Sequence, residues 1–181
     1  MFISRLAPGQ RETLEGITTR QQGQQSAEEG AGEMSPKPKP LDGIQRVLRG
    51  EAPPPPIATL LGFTLMAIEP GRAVVAFEAA ERHANPLGTL HGGVLCDLAD
   101  LAMGWAYAAT VADGESFTTL ELKINFLRPV WEGRLVAVAS VIKGGRIIGL
   151  VECDVTDDKD RLVARASSTC MTLRGDAAKG R

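Results

Sequence analysis

Residues 81–107 read ERHANPLGTLHGGVLCDLADLAMGWAY, and the fold turns on how this stretch divides. Its first half is turn chemistry: Asn85-Pro86, Gly88 and the pair Gly92-Gly93 each interrupt regular structure. Its second half is apolar on almost every side and predicts a helix from about Gly93 to Ala109. A glycine pair opening a helix presents free backbone N–H groups to an anion. Two turns further on, Asp100 stands in a run of Leu98, Ala99, Leu101, Ala102 and Met103, where a carboxylate needs a reason to be.

Strand patterns surround this helix. Gly62 to Glu69 and Arg72 to Glu78 flank the turn pair Pro70-Gly71 and read as a hairpin. After the Asp113-Gly114 turn, Phe117 to Leu127 alternates, with Thr118, Leu120, Leu122, Ile124 and Phe126 on one face and Thr119, Glu121, Lys123 and Asn125 on the other. Arg134 to Ile142, Arg146 to Asp154 and Arg161 to Thr172 complete the strands, with turns at Gly144-Gly145 and at residues 157–160. A helix that is apolar all round must be wrapped. The expected architecture is therefore α+β, one antiparallel sheet curled around a long central helix.

The ends differ from this body. Residues 1–40 carry five Gln, five acidic and five basic residues and finish in SPKPKP. Such a segment buries too little apolar surface to offset its ordering entropy, so a disordered or weakly helical extension is expected, with Met34 as an alternative start. Residues 41–56 read as a short surface helix, LDGIQRVLR, followed by a stiff connector of four prolines. The remaining domain runs from 57 to 175.

Composition narrows the function. A chain of 181 residues with net charge -2 sets up no field that would recruit nucleic acid or an anionic membrane. No apolar run approaches a membrane span. Three scattered cysteines without CxxC spacing read as reduced cytoplasmic thiols, and two histidines leave little for a metal site. Serine-hydrolase elbows, phosphate loops and dinucleotide fingerprints are all missing from the sequence.

The glycine pair is either a helix start with no ligand or a site for carbonyl chemistry. The N–H of Gly92 or Gly93, at the positive end of a helix, can stabilise an oxyanion, and Asp100 can act as general base or nucleophile on the same carbon. Eight residues at 1.5 Å each, however, put roughly 12 Å between Gly92 and Asp100 along the axis. Both reach one carbonyl only if Asp100 comes from a second subunit whose helix runs antiparallel across an isologous interface.

The segment N-P-L-G-T-L-H-G-G-V-L-C-D-L-A-D, with T-L-E-L-K-I-N-F-L-R-P-V after it, resembles the hotdog-fold thioesterases of the phenylacetate-pathway type over about Leu60 to Leu173. The resemblance implies hydrolysis of acyl-CoA thioesters without a metal or redox cofactor, by a homodimer or homotetramer. It makes Gly92 the oxyanion-hole glycine, with Gly93 beside it, and Asp100 the carboxylate supplied across the dimer. Asn85 would orient the water or thioester, His91 would support the loop or bond the thioester carbonyl, and Thr119 would assist the water. Arg128, Lys143 and Arg146 are the candidate cations for CoA. Two other hotdog functions stay open, a hydratase or dehydratase on acyl thioesters and a non-catalytic acyl-CoA-binding module. So do blander roles: Asp100 as a structural carboxylate, His91 as a cap, Asp97 as a first-turn acid and Cys96 as a small core hydrophobe. Trp105, Met103 and Tyr107 read as core or acyl-pocket wall.

Overall fold

The computed structural model describes residues 40–179 together with Pro8, Gly9 and Glu12. Apart from those three residues, the readings made for 1–39, Met34 included, lie outside it. In chain order the elements are α1 (Pro40–Leu48), α2 (Pro56–Leu61), β1 (Thr64–Glu69), β2 (Arg72–Ala79), α3 (Gly92–Ala108), β3 (Ser116–Phe126), β4 (Gly133–Gly144), β5 (Ile148–Asp157) and β6 (Leu162–Leu173). The six strands form one antiparallel sheet in the order β1-β2-β4-β5-β6-β3, and α3 lies across it, packed against every strand.

The expected α+β arrangement is thus present, and the core explains it. Leu95, Leu98, Ala99, Ala102, Met103, Ala106 and Tyr107 of α3 are buried against Val75 and Phe77 of β2, Leu135 and Ala137 of β4, Val151 and Val155 of β5, and Ala164 and Ala166 of β6. Each large apolar side chain removed from water in this way contributes about 1.5–3 kcal/mol. The Pro70-Gly71 hairpin closes with Gly71 at a φ of 79°, which a side chain would strain.

Three local readings change. The proline run ends in a helix, because Pro56 starts α2 with the fixed φ that a first helical turn accepts. Gly62, read as a strand residue, is instead the left-handed cap of that helix, with φ 82°. And α1 is anchored through Ile44, 9% exposed, so it belongs to the packed body.

The largest correction is on β3. Its register against β6 slips between Thr119, opposite Cys170, and Glu121, opposite Thr169, leaving Leu120 as an extra residue. A bulge of this kind resets the alternation. Phe117 and Thr119 therefore share the helix-facing side with Leu122 and Ile124, while Leu120 turns outward and is 51% exposed. The uninterrupted face from Thr118 to Phe126 does not form.

Candidate active site

Two groups of candidate residues lie along α3. The first surrounds its N-terminus. Asn85 closes the preceding loop on itself: its Oδ1 accepts from the Leu87 N–H at 2.8 Å, its Nδ2 donates to Thr89 Oγ1 at 2.9 Å, and its N–H donates to the Thr89 carbonyl. His83, which the sequence did not single out, anchors the other side. Its ring packs on Phe77 with centroids 4.8 Å apart, its Nδ1 accepts from Ala80 N–H, and its carbonyl accepts from His91 N–H at 2.9 Å. Burial, followed by the charge of Arg82, lowers the His83 pKa, so the ring stays neutral and serves as a support.

His91 then caps the helix. Its Nδ1 accepts from the Gly93 N–H at 2.8 Å. An accepting Nδ1 leaves the proton of the neutral ring on Nε2, which remains a donor. The Gly93 N–H is thereby occupied, whereas the Gly92 N–H has no hydrogen-bond partner among the described residues. Both glycines sit close to a neighbouring side chain. A Cβ on Gly93 would stand 2.9 Å from His91 Nδ1, and one on Gly92 would stand 3.0 Å from Phe126 Cζ. Of the two N–H groups the sequence offered, Gly92 is the one open to a ligand.

Gly92 lines a cleft of about 370 Å³ together with Asn85, Thr89, Leu90, Leu95, Phe126, Leu127, Arg128, Pro129 and Val130. Trp105, Met103 and Tyr107 are absent from its wall and belong to the core at 8%, 0% and 2% exposure. Arg128 is at the cleft. Lys143 and Arg146 lie at the β4–β5 turn, where Phe117 pairs with Thr172 and Ile148 with Met171, at the opposite end of the sheet from Phe126. One protomer therefore separates the three candidate cations.

The second group is Asp100 and Thr119. The Thr119 hydroxyl donates to Asp100 Oδ1 at 3.3 Å. Asp100 faces outward from the protomer together with Asp97, on the side of α3 turned away from the buried residues. Although Asp100 is exposed on this side, desolvation by the atoms packed around its carboxyl is the main influence on it and pushes its pKa up. The Thr119 bond opposes this and the charge of Asp97 adds to it. A carboxylate poised in this way is a better base than a fully solvated one. Cys96 is half-buried, as a small hydrophobe would be.

Among the described residues, no group of three or more His, Cys, Asp or Glu is arranged to hold a metal ion, and no helix is long and apolar enough to cross a membrane.

The fold is shared with known proteins. Residues 87–164 match the thioesterase superfamily. A 1,4-dihydroxy-2-naphthoyl-CoA hydrolase of Listeria monocytogenes is 31% identical over 109 residues, covering 60% of this chain and 89% of its own. The human acyl-coenzyme A thioesterase 13 is 29% identical over 108 residues, covering 59% of this chain and 76% of its own. Among solved structures, a phenylacetic acid degradation-related protein of Ralstonia eutropha JMP134 superposes with a TM-score of 0.66 at 36% identity, covering 71% of this chain and 98% of that one. The chain belongs to the thioesterase superfamily, with the hotdog fold, and is a thioester hydrolase.

Proposed function

We propose that the protein hydrolyses acyl-CoA esters to free acid and CoA in the cytoplasm, at sites shared between two subunits. The observation that carries this reading is the separation of its two halves on one helix. Gly92 offers an unpaired N–H at the start of α3, and Asp100 offers a carboxylate roughly 12 Å further along, too far for both to touch one carbonyl. Two features support a partner at that place. The eleven-residue β3 is an edge strand with one side unpaired, which a soluble protein normally covers. Val94, Leu101, Leu122 and Ile124 beside it are only partly buried. Antiparallel pairing of β3 with its copy would bring Asp100 of one subunit towards Gly92 of the other, twice per dimer.

In the proposed reaction the thioester carbonyl sits at the Gly92 N–H, with the His91 Nε2–H available beside it. Asp100, steadied by Thr119, takes a proton from water as the water attacks the carbonyl carbon, or attacks that carbon itself to give an anhydride that water then opens. The tetrahedral oxyanion collapses and CoA leaves as its thiolate, so no strong general acid is needed. Asn85 and Arg128 border the cleft that would receive the substrate. Lys143 and Arg146 could reach CoA only from the partner subunit. The route uses no metal or redox cofactor. The names of the Listeria and human relatives point to CoA esters as the substrate class.

Mixing two inactive variants tests the shared site. Asp100→Asn and Gly92→Val homodimers are each expected to be inactive. Co-refolded together, they form heterodimers in which one site has both an intact Gly92 and an intact Asp100, and release of free thiol from acyl-CoA returns. Absence of any recovery in verified heterodimers would sink the shared-site reading.

A further inference from the structure

Thr119 reaches Asp100 only because β3 is bulged, and the bulge is held from the neighbouring strand. Ser168 of β6 is fully buried, on the helix-facing side of the sheet between Ala166 and Cys170. An apolar side chain would suit that core position, and a buried hydroxyl persists where it is bonded. The Ser168 Oγ donates to the carbonyl of Glu121 at 2.9 Å. Glu121 is the residue directly after the extra Leu120, where the ladder with β6 is displaced. From the open side of the sheet, Thr169 Oγ1 donates to Glu121 Oε1 at 2.8 Å, so one residue at the bulge is gripped from both faces. The Ser168 Oγ also lies 3.9 Å from Cys170 Sγ, and the Cys170 thiol, opposite Thr119, interacts with the Thr119 hydroxyl.

We infer that Ser168 is a positioning residue of the thioesterase site: by binding the Glu121 carbonyl it fixes the bulge at Leu120, and the bulge turns the Thr119 hydroxyl onto Asp100. Without the extra residue, side chains alternate and Thr119 would point to the opposite face of the sheet from Leu122. The inference rests on reading Asp100 as the reacting carboxylate. The titratable groups facing Asp100 are Asp97 and Cys96 from α3 and Cys170 from β6. Changing Ser168 leaves Asp97 and Cys96 untouched and removes a contact of Cys170. Burial holds that thiol above its ordinary value, and so uncharged in the acid range, so a shift of the acid limb reports on the Thr119 bond.

The test compares Ser168→Ala, Thr119→Val, the double variant and Thr169→Val in the full-chain enzyme, using the acyl-CoA ester that the wild type turns over fastest. Ser168→Ala is expected to lower kcat roughly tenfold, as loss of orientation does, with little change in KM. The acid limb of its pH profile should move upward, because the bond that lowers the Asp100 pKa is loosened. In the Thr119→Val background the serine change should cost nothing further, since it acts through that hydroxyl. A wild-type kcat and pH profile in Ser168→Ala overturns the inference, and so do losses that multiply in the double variant. If Ser168→Ala does not fold, Thr169→Val, on the open face, loosens the same bulge and should lower kcat in the same direction; a wild-type kcat there overturns the inference equally. Asp100→Asn separates the two ideas. Full turnover in that variant defeats the site itself, whereas an inactive Asp100→Asn beside fully active Ser168→Ala and Thr169→Val defeats only the role of Ser168.

Discussion

The Thr119 hydroxyl and the Asp100 carboxylate meet at 3.3 Å, across a strand and a helix that the bulge at Leu120 brings into phase. The carboxyl is under two opposed influences, burial raising its pKa and the hydroxyl lowering it. Catalysis by the carboxylate requires the ionised form, so activity should fall as pH drops through a value above that of an ordinary aspartate. The pH dependence of kcat/KM checks this, and an acid limb at or below the ordinary aspartate range would contradict it.

The same raised pKa has a sign for stability. An acid whose pKa is higher in the folded state stabilises the fold below its unfolded pKa, and that contribution is lost as pH rises through the folded value. At neutral pH the ionised Asp100 therefore weighs against folding. Asp100→Asn should raise Tm at pH 7 while abolishing most turnover, and its advantage should shrink as pH falls below the carboxylate range. Calorimetry at two pH values decides this; a variant less stable than wild type at pH 7 would show that Asp100 is a structural carboxylate instead.

His91 has two separable duties. His91→Ala removes the cap on Gly93 N–H and should cost about 1 kcal/mol. Asn is a good N-cap, so His91→Asn should recover most of that stability. It does not supply the Nε2–H, so turnover should stay low if that group meets the thioester carbonyl. Parallel denaturation and kinetic measurements on the two variants test the division. Recovery of both quantities in His91→Asn would leave His91 with the capping role alone.

Much of this was legible in the residues, and the part that was not has identifiable causes. Turn chemistry marked the hairpin at Pro70-Gly71 and the start of α3, and the apolar run from Val94 to Tyr107 demanded a sheet to wrap it. The bulge was hidden because Thr118, Leu120 and Leu122 alternate convincingly; only the register against β6 and the hydroxyls of Ser168 and Thr169 decide against that pattern. The short helix α2 was masked by the prolines before it, although Pro56 and Gly62 are its start and stop signals. Helix chemistry alone does not distinguish Gly92 from Gly93, and only the resemblance singles out Gly92; in the structure His91 occupies the Gly93 N–H and leaves the other open. That Arg128 sits at the cleft while Lys143 and Arg146 lie at the far turn depends on strand topology, which charge alone does not reveal.

Gly92→Ala separates tight packing from access to the N–H. Ala is the better helix former, by roughly 0.5–1 kcal/mol over Gly in a helix interior, so the fold should survive. The new Cβ would lie 3.0 Å from Phe126 Cζ, and Phe126 is 53% exposed and free to shift. Stability should change little, while the methyl and the displaced ring crowd the oxyanion position and lower kcat/KM roughly tenfold or more. Phe126→Leu added to Gly92→Ala should return part of the lost kcat/KM by making room. An unaltered kcat/KM in Gly92→Ala would remove Gly92 from the site.

Gly149→Ala gives the opposite outcome for stability at the far end of α3. A Cβ on Gly149 would run into Tyr107 Cε2, and Tyr107 is 2% exposed with its hydroxyl 2.9 Å from Thr172 Oγ1. A ring held on all sides cannot turn aside as Phe126 can, so β5 or the helix must move. Overpacking of this kind costs about 1–3 kcal/mol or more. For a chain of this size each kcal/mol lowers Tm by about 2–4 °C. Gly149 pairs with Cys170, which in turn pairs with Thr119, so the shift reaches the Asp100 end of the site and kcat measured well below the transition should fall as well. Replacing Tyr107 with Leu in the Gly149→Ala background removes the clashing ring and should make the glycine change less costly than it is beside Tyr107. A double-variant cycle of melting temperatures measures that coupling, and strictly additive losses would show that the two side chains do not meet.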